Sequence, residues 1–221
     1  MGQRQYAEVT WNEQGTPVSM QFDDPYFSLE DGLAETRHTF LAGNGLPARF
    51  RPGFRVAELG FGTGLNMLAT ALAAPAGPIQ YTSFEAFPMA AAEIARALAA
   101  FPEGQAIAAP FLEAWGRGET CFTLGALKVE VILGDARQTL PFWPGVADAW
   151  YLDGFSPAKN PQLWGEDLMR AVGNHTAPDG TAASYTAAGF VRRGLEAAGF
   201  TVERRPGFGR KRHMTVARRA P

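Results

Sequence analysis

Near-continuous apolar runs alternate along this chain with segments whose apolar positions recur every three to four residues. RVAELGF is followed by LNMLATALAA, IQYTSFEA by MAAAEIARALAAF, and the runs KVEVILGDA and DAWYLDGF come next. Strands apolar on both sides, interleaved with amphipathic helices, are the signature of a parallel sheet covered on both faces, so the pattern predicts the α/β class. The chain closes with TAASYT, a helix over AGFVRRGLEAAGF, and two strands, FTVERR and HMTVARR, expected to pair antiparallel across the turn-forming GFGRK. The predicted sheet therefore has seven strands, five parallel and a final antiparallel pair. Residues 1–53 stand apart from residues 54–221. They begin with a short hairpin, EVTWNEQGTPVSMQF, turning at QGTP, and continue through a partly helical stretch to the loop GNGLP. This amino-terminal part reads as a lid ahead of the main domain.

Composition narrows the picture. At 221 residues the chain suits one well-filled core, and 46% apolar with 19% charged residues excludes disorder. No apolar run approaches the roughly 20 residues of a bilayer span. The amino terminus has no apolar signal-peptide region and Gly2 has poor myristoylation context, so a cytosolic protein without membrane contact is expected. Cys121 is the only cysteine, and His38, His175 and His213 are scattered, so neither a disulfide nor a metal site is predicted. The net charge of −2 hides an asymmetry: from Arg192 onward nine basic residues face two acidic ones, giving +7 there and −9 elsewhere. A polyanionic partner is one reading of that asymmetry and a solvated surface is the other.

The candidate chemistry starts at AELGFGTGLN, where Gly60, Gly62 and Gly64 lie between a strand and a helix. In open α/β sheets ligands bind at such strand ends. A phosphate-binding P-loop requires a following Lys, and position 65 is Leu; a dinucleotide turn requires G-x-G-x-x-G, and the spacing here is G-x-G-x-G. Glu58 precedes the glycines, Glu85 ends the next strand and Asp135 ends the one after. A carboxylate repels a pyrophosphate but suits a cationic ligand with a ribose diol, which describes S-adenosyl-L-methionine. Glu85 is placed on the ribose hydroxyls and Asp135 on the adenine amino group, with Glu58 and Asn66 completing the cofactor set.

At the level of whole segments, YFSLEDGLAETRHTFLAGNGLPARF, AELGFGTGLN, YLDGFSPAKNPQLW and AGFVRRGLEAAGF with GFGRKRHM resemble the signature segments of the MnmC methyltransferase-domain family, over nearly the whole chain and in the same order. The resemblance implies a Rossmann-like methyltransferase fold and transfer of a methyl group to the aminomethyl nitrogen of 5-aminomethyl-2-thiouridine at the tRNA wobble position. The chain ends at Pro221 without the flavin-dependent oxidase of two-domain members, so flavin is not carried over. A separate oxidase is one expected source of the aminomethyl substrate.

An alkyl aminomethyl nitrogen is mostly protonated near neutral pH and must lose a proton before it attacks, so the site needs an acceptor more than an activated electrophile. Asp153, in DGFSPAKNPQLW, is the candidate catalytic residue, with a loop-capping role as the bland reading. Gly154 gives room for the substrate, Phe155 walls the pocket or stacks on uracil, and Lys159 meets an RNA phosphate or a carboxylate. Trp164 and Tyr185 fit core packing better. The resemblance implies that the segment with Glu35, Arg37, His38 and Asn44 lies over the cofactor side and closes the site, with plain packing as the other reading of each residue. Arg210, Lys211 and Arg212, with Arg192, Arg193, Arg204 and Arg205, are candidates for the backbone of the anticodon stem-loop. Two other readings stand beside this one. One is a methyltransferase or aminopropyltransferase-like enzyme acting on a small amine, separated by whether activity requires tRNA. The other is a non-catalytic cofactor-binding module, separated by binding without turnover. Cys121 precedes a strand, which disfavours cysteine-dependent base methylation.

Overall fold

The structure, a computed structural model, describes residues 6–28, 31–75 and 77–221; the stretch containing Gly2 lies outside them. In chain order its elements are β1 (Val9–Trp11), β2 (Pro17–Ser19), β3 (Asp24–Pro25), α1 (Gly32–Thr36), β4 (Arg55–Leu59), α2 (Leu65–Ala73), β5 (Ile79–Glu85), α3 (Ala91–Leu98), α4 (Pro102–Ile107) and α5 (Ala109–Gly116). They continue with β6 (Cys121–Leu124), β7 (Leu127–Leu133), α6 (Ala136–Thr139), β8 (Ala147–Leu152), α7 (Glu166–Asn174), β9 (Thr176–Ser184), α8 (Gly189–Ala197), β10 (Phe200–Pro206) and β11 (His213–Arg219).

All seven predicted strands lie in one sheet of order β10-β11-β9-β8-β4-β5-β7-β6. The five expected to be parallel are parallel, and β10 and β11 pair antiparallel from Phe200↔Arg219 to Pro206↔His213. The sheet has an eighth strand, β6, an antiparallel edge on β7 that contains Cys121. Its four residues, CFTL, are mostly exposed or half-buried, which leaves too little periodicity for the sequence to announce it.

Alternation sorts the strand residues onto two faces. Val56, Tyr81 and Tyr151 pack with Met67, Phe111 and Trp115 on one side. Leu59, Phe84 and Trp150 pack with Met169, Val191 and Leu195 on the other. Because β4 and β8 are adjacent while the chain runs outward from each in opposite directions, a crevice opens between them at their carboxyl ends.

The expected unit of residues 1–53 divides in two. The hairpin forms a small separate sheet, β1-β2-β3, with Val9 opposite Ser19. It is held on the body by Trp11 Nε1 donating to Glu93 at 2.8 Å and by the Arg96 guanidinium 3.9 Å above the Trp11 ring. Leu33, Phe40, Leu41 and Leu46, by contrast, belong to the apolar cluster under the main sheet. At the far end of the sheet, Arg51 and Arg55 converge on Asp148, which accepts from Arg55 Nε at 2.9 Å, so part of the basic run ARFRPGFRV is occupied in anchoring the chain before β4.

Candidate active site

One cavity of about 940 Å³ sits over the carboxyl ends of β4, β5, β7 and β8. Its floor is the glycine turn after β4, its walls are the loops after β5, β7 and β8, and its roof comes from the hairpin, α1 and the β10–β11 turn.

The glycine turn is shaped by its neighbours. Gly60 has φ +79°, and a Cβ on it would stand 3.0 Å from the Cα of Gly154, so the loops after β4 and β8 cross at two glycines. Gly62 faces Tyr26 of the hairpin and its N–H donates to Glu85 Oε2 at 2.8 Å. Gly60 and Gly62 line the cavity. Gly64 does not: it sits beneath, against Phe61 and Phe111, at the start of α2.

Of the three acids expected around the cofactor, two border the cavity and one is beneath it. Glu85 takes hydrogen bonds from the Gly62 and Phe87 amides, at 2.8 and 2.7 Å, and burial raises its pKa. Asp135 caps α6 and is gripped by Arg137, whose hydrogen bond holds the carboxyl below its ordinary value. Glu58, expected among the cofactor residues, does not line the cavity. It is 0% exposed and lies below Asn66, on the face of β4 that meets Tyr81 and Tyr151. Burial pushes its pKa up to about 8. Its Oε2, the Tyr81 hydroxyl and the Ser83 hydroxyl are all buried, and the polar groups of Ser83, Asn66 and Tyr81 around the carboxyl oppose the rise.

Asn66 joins this buried acid to the cavity. Its Nδ2 donates to Glu58 Oε1 at 2.8 Å and to Asp153 Oδ2 at 2.7 Å, while its Oδ1 accepts from Thr36 Oγ1 at 2.8 Å. Every polar atom of the amide is engaged, which fixes its orientation. Burial raises the Asp153 carboxyl to about 6, with Asn66 and the Gly154 amide opposing, Glu35 adding to the rise and Lys211 opposing it. Asp153 therefore sits in the cavity as a carboxylate of near-neutral pKa with acceptor sites left over.

Phe155 and Lys159, from the same loop, also line the cavity. Phe155 stacks on Phe22 of the hairpin at 4.7 Å and meets Tyr26 edge-on at 5.0 Å. Lys159 binds the Asp23 carboxylate at 2.6 Å and also donates to the Asp23 carbonyl. Ser156 N donates to Asp24 Oδ2 at 2.7 Å, so the loop after β8 is stapled to the hairpin twice. Arg210 and Lys211 reach the cavity from the β10–β11 turn; Arg212 is exposed and outside it.

The lid residues separate. Glu35 lines the cavity, whereas Arg37 pairs with Glu103, His38 contacts the Pro206 carbonyl, and Asn44 is buried, donating to the carbonyls of Phe40 and Trp150. Trp164 is core, as expected, and its Nε1 holds the Phe155 carbonyl at 2.9 Å. Tyr185 is a correction: it lines the cavity, and its hydroxyl donates to the Gly154 carbonyl at 2.7 Å. Phe22, Tyr26 and Thr36 were not singled out from sequence.

The donor set fits S-adenosyl-L-methionine. Carboxylates at strand tips suit a diol and a cationic amino acid moiety, and the glycine turn is free of the basic side chain that phosphates require. Among the described residues no cluster of His, Cys, Asp or Glu has the arrangement of a metal site, and no helix is long and apolar enough to cross a membrane.

Comparison with known proteins points the same way. Residues 102–220 match a family described as S-adenosyl-L-methionine-dependent methyltransferase. The chain is 44% identical, over 97% of its length, to the tRNA 5-methylaminomethyl-2-thiouridine biosynthesis bifunctional protein MnmC of Aeromonas hydrophila, and covers 36% of that protein. It is 46% identical, over 96% of its length, to the protein of the same name from Caulobacter vibrioides, and covers 38% of it. The chain thus spans little more than a third of the curated relatives it matches. Among solved structures it superposes on MnmC2 from Aquifex aeolicus with a TM-score of 0.76 and 26% identity, covering 99% of this chain and 72% of that one.

Proposed function

From the premise that the chain belongs to the S-adenosyl-L-methionine-dependent methyltransferase family, we propose that it methylates the aminomethyl nitrogen of 5-aminomethyl-(2-thio)uridine at the wobble position of tRNA, in the cytosol. The product is 5-methylaminomethyl-(2-thio)uridine. The observation that carries this reading is Asp153, a cavity carboxylate of near-neutral pKa clamped by Asn66 and placed across the Gly60–Gly154 crossing from the cofactor turn. The likeness to MnmC proteins over almost the whole chain supplies the substrate class.

When bound, the cofactor supplies a methyl carbon whose bond to the sulfonium sulfur breaks, the electron pair going to sulfur, as the nitrogen lone pair forms the new bond. The chain prepares the nitrogen. Asp153 holds the ammonium form by a charge-assisted hydrogen bond and takes up the proton that nitrogen must shed. Asn66 keeps that carboxylate aimed, and Glu85 orients the ribose of the cofactor. The hairpin and α1 close over the site, Phe155 receives the flipped-out uracil against its ring, and Asp135 is the residue offered to the adenine end. Arg210 and Arg212, with Arg204 of β10, are the side chains offered to the anticodon stem-loop backbone. A flavin-dependent oxidase is the expected source of the aminomethyl substrate.

The test is mass-spectrometric nucleoside analysis of tRNA carrying the aminomethyl precursor, before and after incubation with the protein and labelled cofactor. The expected outcome is loss of the aminomethyl nucleoside and appearance of its labelled methylamino form. Methylation of small amines without tRNA, or no turnover on any tRNA, would overturn the reading.

A further inference from the structure

Glu35 is 7% exposed, and its Oε1 is bound at 2.5 Å by Lys211 Nζ, an ammonium at the tip of a side chain that is itself 43% exposed. The same Nζ lies 4.4 Å above the Tyr185 ring. Tyr185 is tied by its hydroxyl to the Gly154 carbonyl, one residue from Asp153, and Glu35, Tyr185, Asp153 and Lys211 all line the same cavity. A buried carboxylate facing a π-surface is a complete recognition site for a primary ammonium: one face gives a charge-assisted hydrogen bond and the other a cation–π contact. The occupant is a lysine carried on the solvent-exposed turn between β10 and β11.

We propose that Glu35 and the face of Tyr185 form the alkylammonium subsite of the substrate, which Lys211 fills from within until the substrate's aminomethyl group displaces it. The proposal rests on the aminomethyl reading above and goes beyond it by assigning Lys211 to a substrate-mimicking role instead of a phosphate contact. Electrostatics agree, since Glu35 and Lys211 act on the Asp153 carboxyl in opposite directions across the same space. A substrate ammonium entering between Glu35 and Asp153 replaces the charge that Lys211 removes, so neither carboxylate is left buried without a cation.

The experiment compares binding of 5-aminomethyluridine and 5-hydroxymethyluridine to the full chain loaded with S-adenosylhomocysteine, by calorimetry. The wild type is expected to prefer the amine on the order of tenfold, as a charge-assisted hydrogen bond allows. Glu35→Gln should abolish the preference, and Tyr185→Leu should reduce it while Tyr185→Phe, which keeps the ring, retains it. Lys211→Met should tighten amine binding. An undiminished preference in Glu35→Gln, no preference in the wild type, or weaker amine binding by Lys211→Met would overturn the subsite. Retained cofactor affinity in each variant shows that the fold is intact. Failure of tRNA turnover with the preference intact would count against the tRNA reading alone. Turnover with KM untouched by Glu35→Gln would count against the subsite alone.

Discussion

Two carboxylates lie either side of the Asn66 amide, and burial does different things to them. Asp153 reaches the cavity and is raised to about 6; Glu58 is sealed off and is raised to about 8. If Asp153 must be ionised to take the amine proton, activity falls as pH drops through about 6, and Asp153→Asn should remove that acid limb together with roughly 10²-fold or more of kcat, at unchanged cofactor affinity. A pH–rate profile with isothermal titration checks both parts. Glu58 acts on stability. Its folded pKa lies above its unfolded value of 4.5, so the folded chain holds a proton that the unfolded chain releases, and stability declines as pH rises from that value through about 8. Glu58→Gln should flatten that decline and raise stability at pH 8 by about 1–3 kcal/mol, on the order of 2–4 °C in Tm per kcal/mol. Thermal melts from pH 5 to 9 decide it. Glu58 was legible as an acid at a strand end. Its burial depended on Asn66 closing above it, a side-chain fact that no local pattern carries.

At the scale of elements, β4 and β8 were readable because almost every residue in them is buried, which makes the apolar run continuous. The glycine turn was readable as a ligand loop, but its reason was only half visible. The glycines admit other protein as well as a ligand: Gly60 meets Gly154, ninety-four residues later in the chain. Such a crossing has no periodicity, and neither do the staples Lys159–Asp23 and Ser156–Asp24 that fix the hairpin over the cavity. Gly60→Ala imposes a side chain where φ is +79° and the next backbone is 3.0 Å away. The expected cost is about 1–3 kcal/mol of stability together with weaker cofactor binding, measured by denaturant melts and calorimetry. Gly53→Ala is the control: its φ of +79° imposes the same strain, with nothing within 4 Å of the added carbon.

Over the whole molecule the charge asymmetry held its meaning only in part. Arg205 pairs with Glu203, Arg218 with Asp179, and Arg219 with the carbonyls of Gly173 and Thr176, so much of the carboxyl-terminal positive charge serves the fold. Sequence counts charges but not their partners. Arg210 and Arg212 stand on the turn between β10 and β11, beside the cavity mouth. Replacing both with Ala should weaken tRNA binding and reduce the slope of log K against log salt by roughly 0.7–0.9 for each phosphate that is no longer neutralised. Filter binding over a salt series measures it; an unaltered slope would place the RNA elsewhere.

The Gly60–Gly154 contact joins the turn that floors the cofactor side to the loop that carries Asp153, with no side chain between them to absorb a displacement. Backbone therefore meets backbone at this point. A ligand that shifts one of these loops would change the affinity of a ligand on the other, and by thermodynamic reciprocity the factor would be the same in both directions.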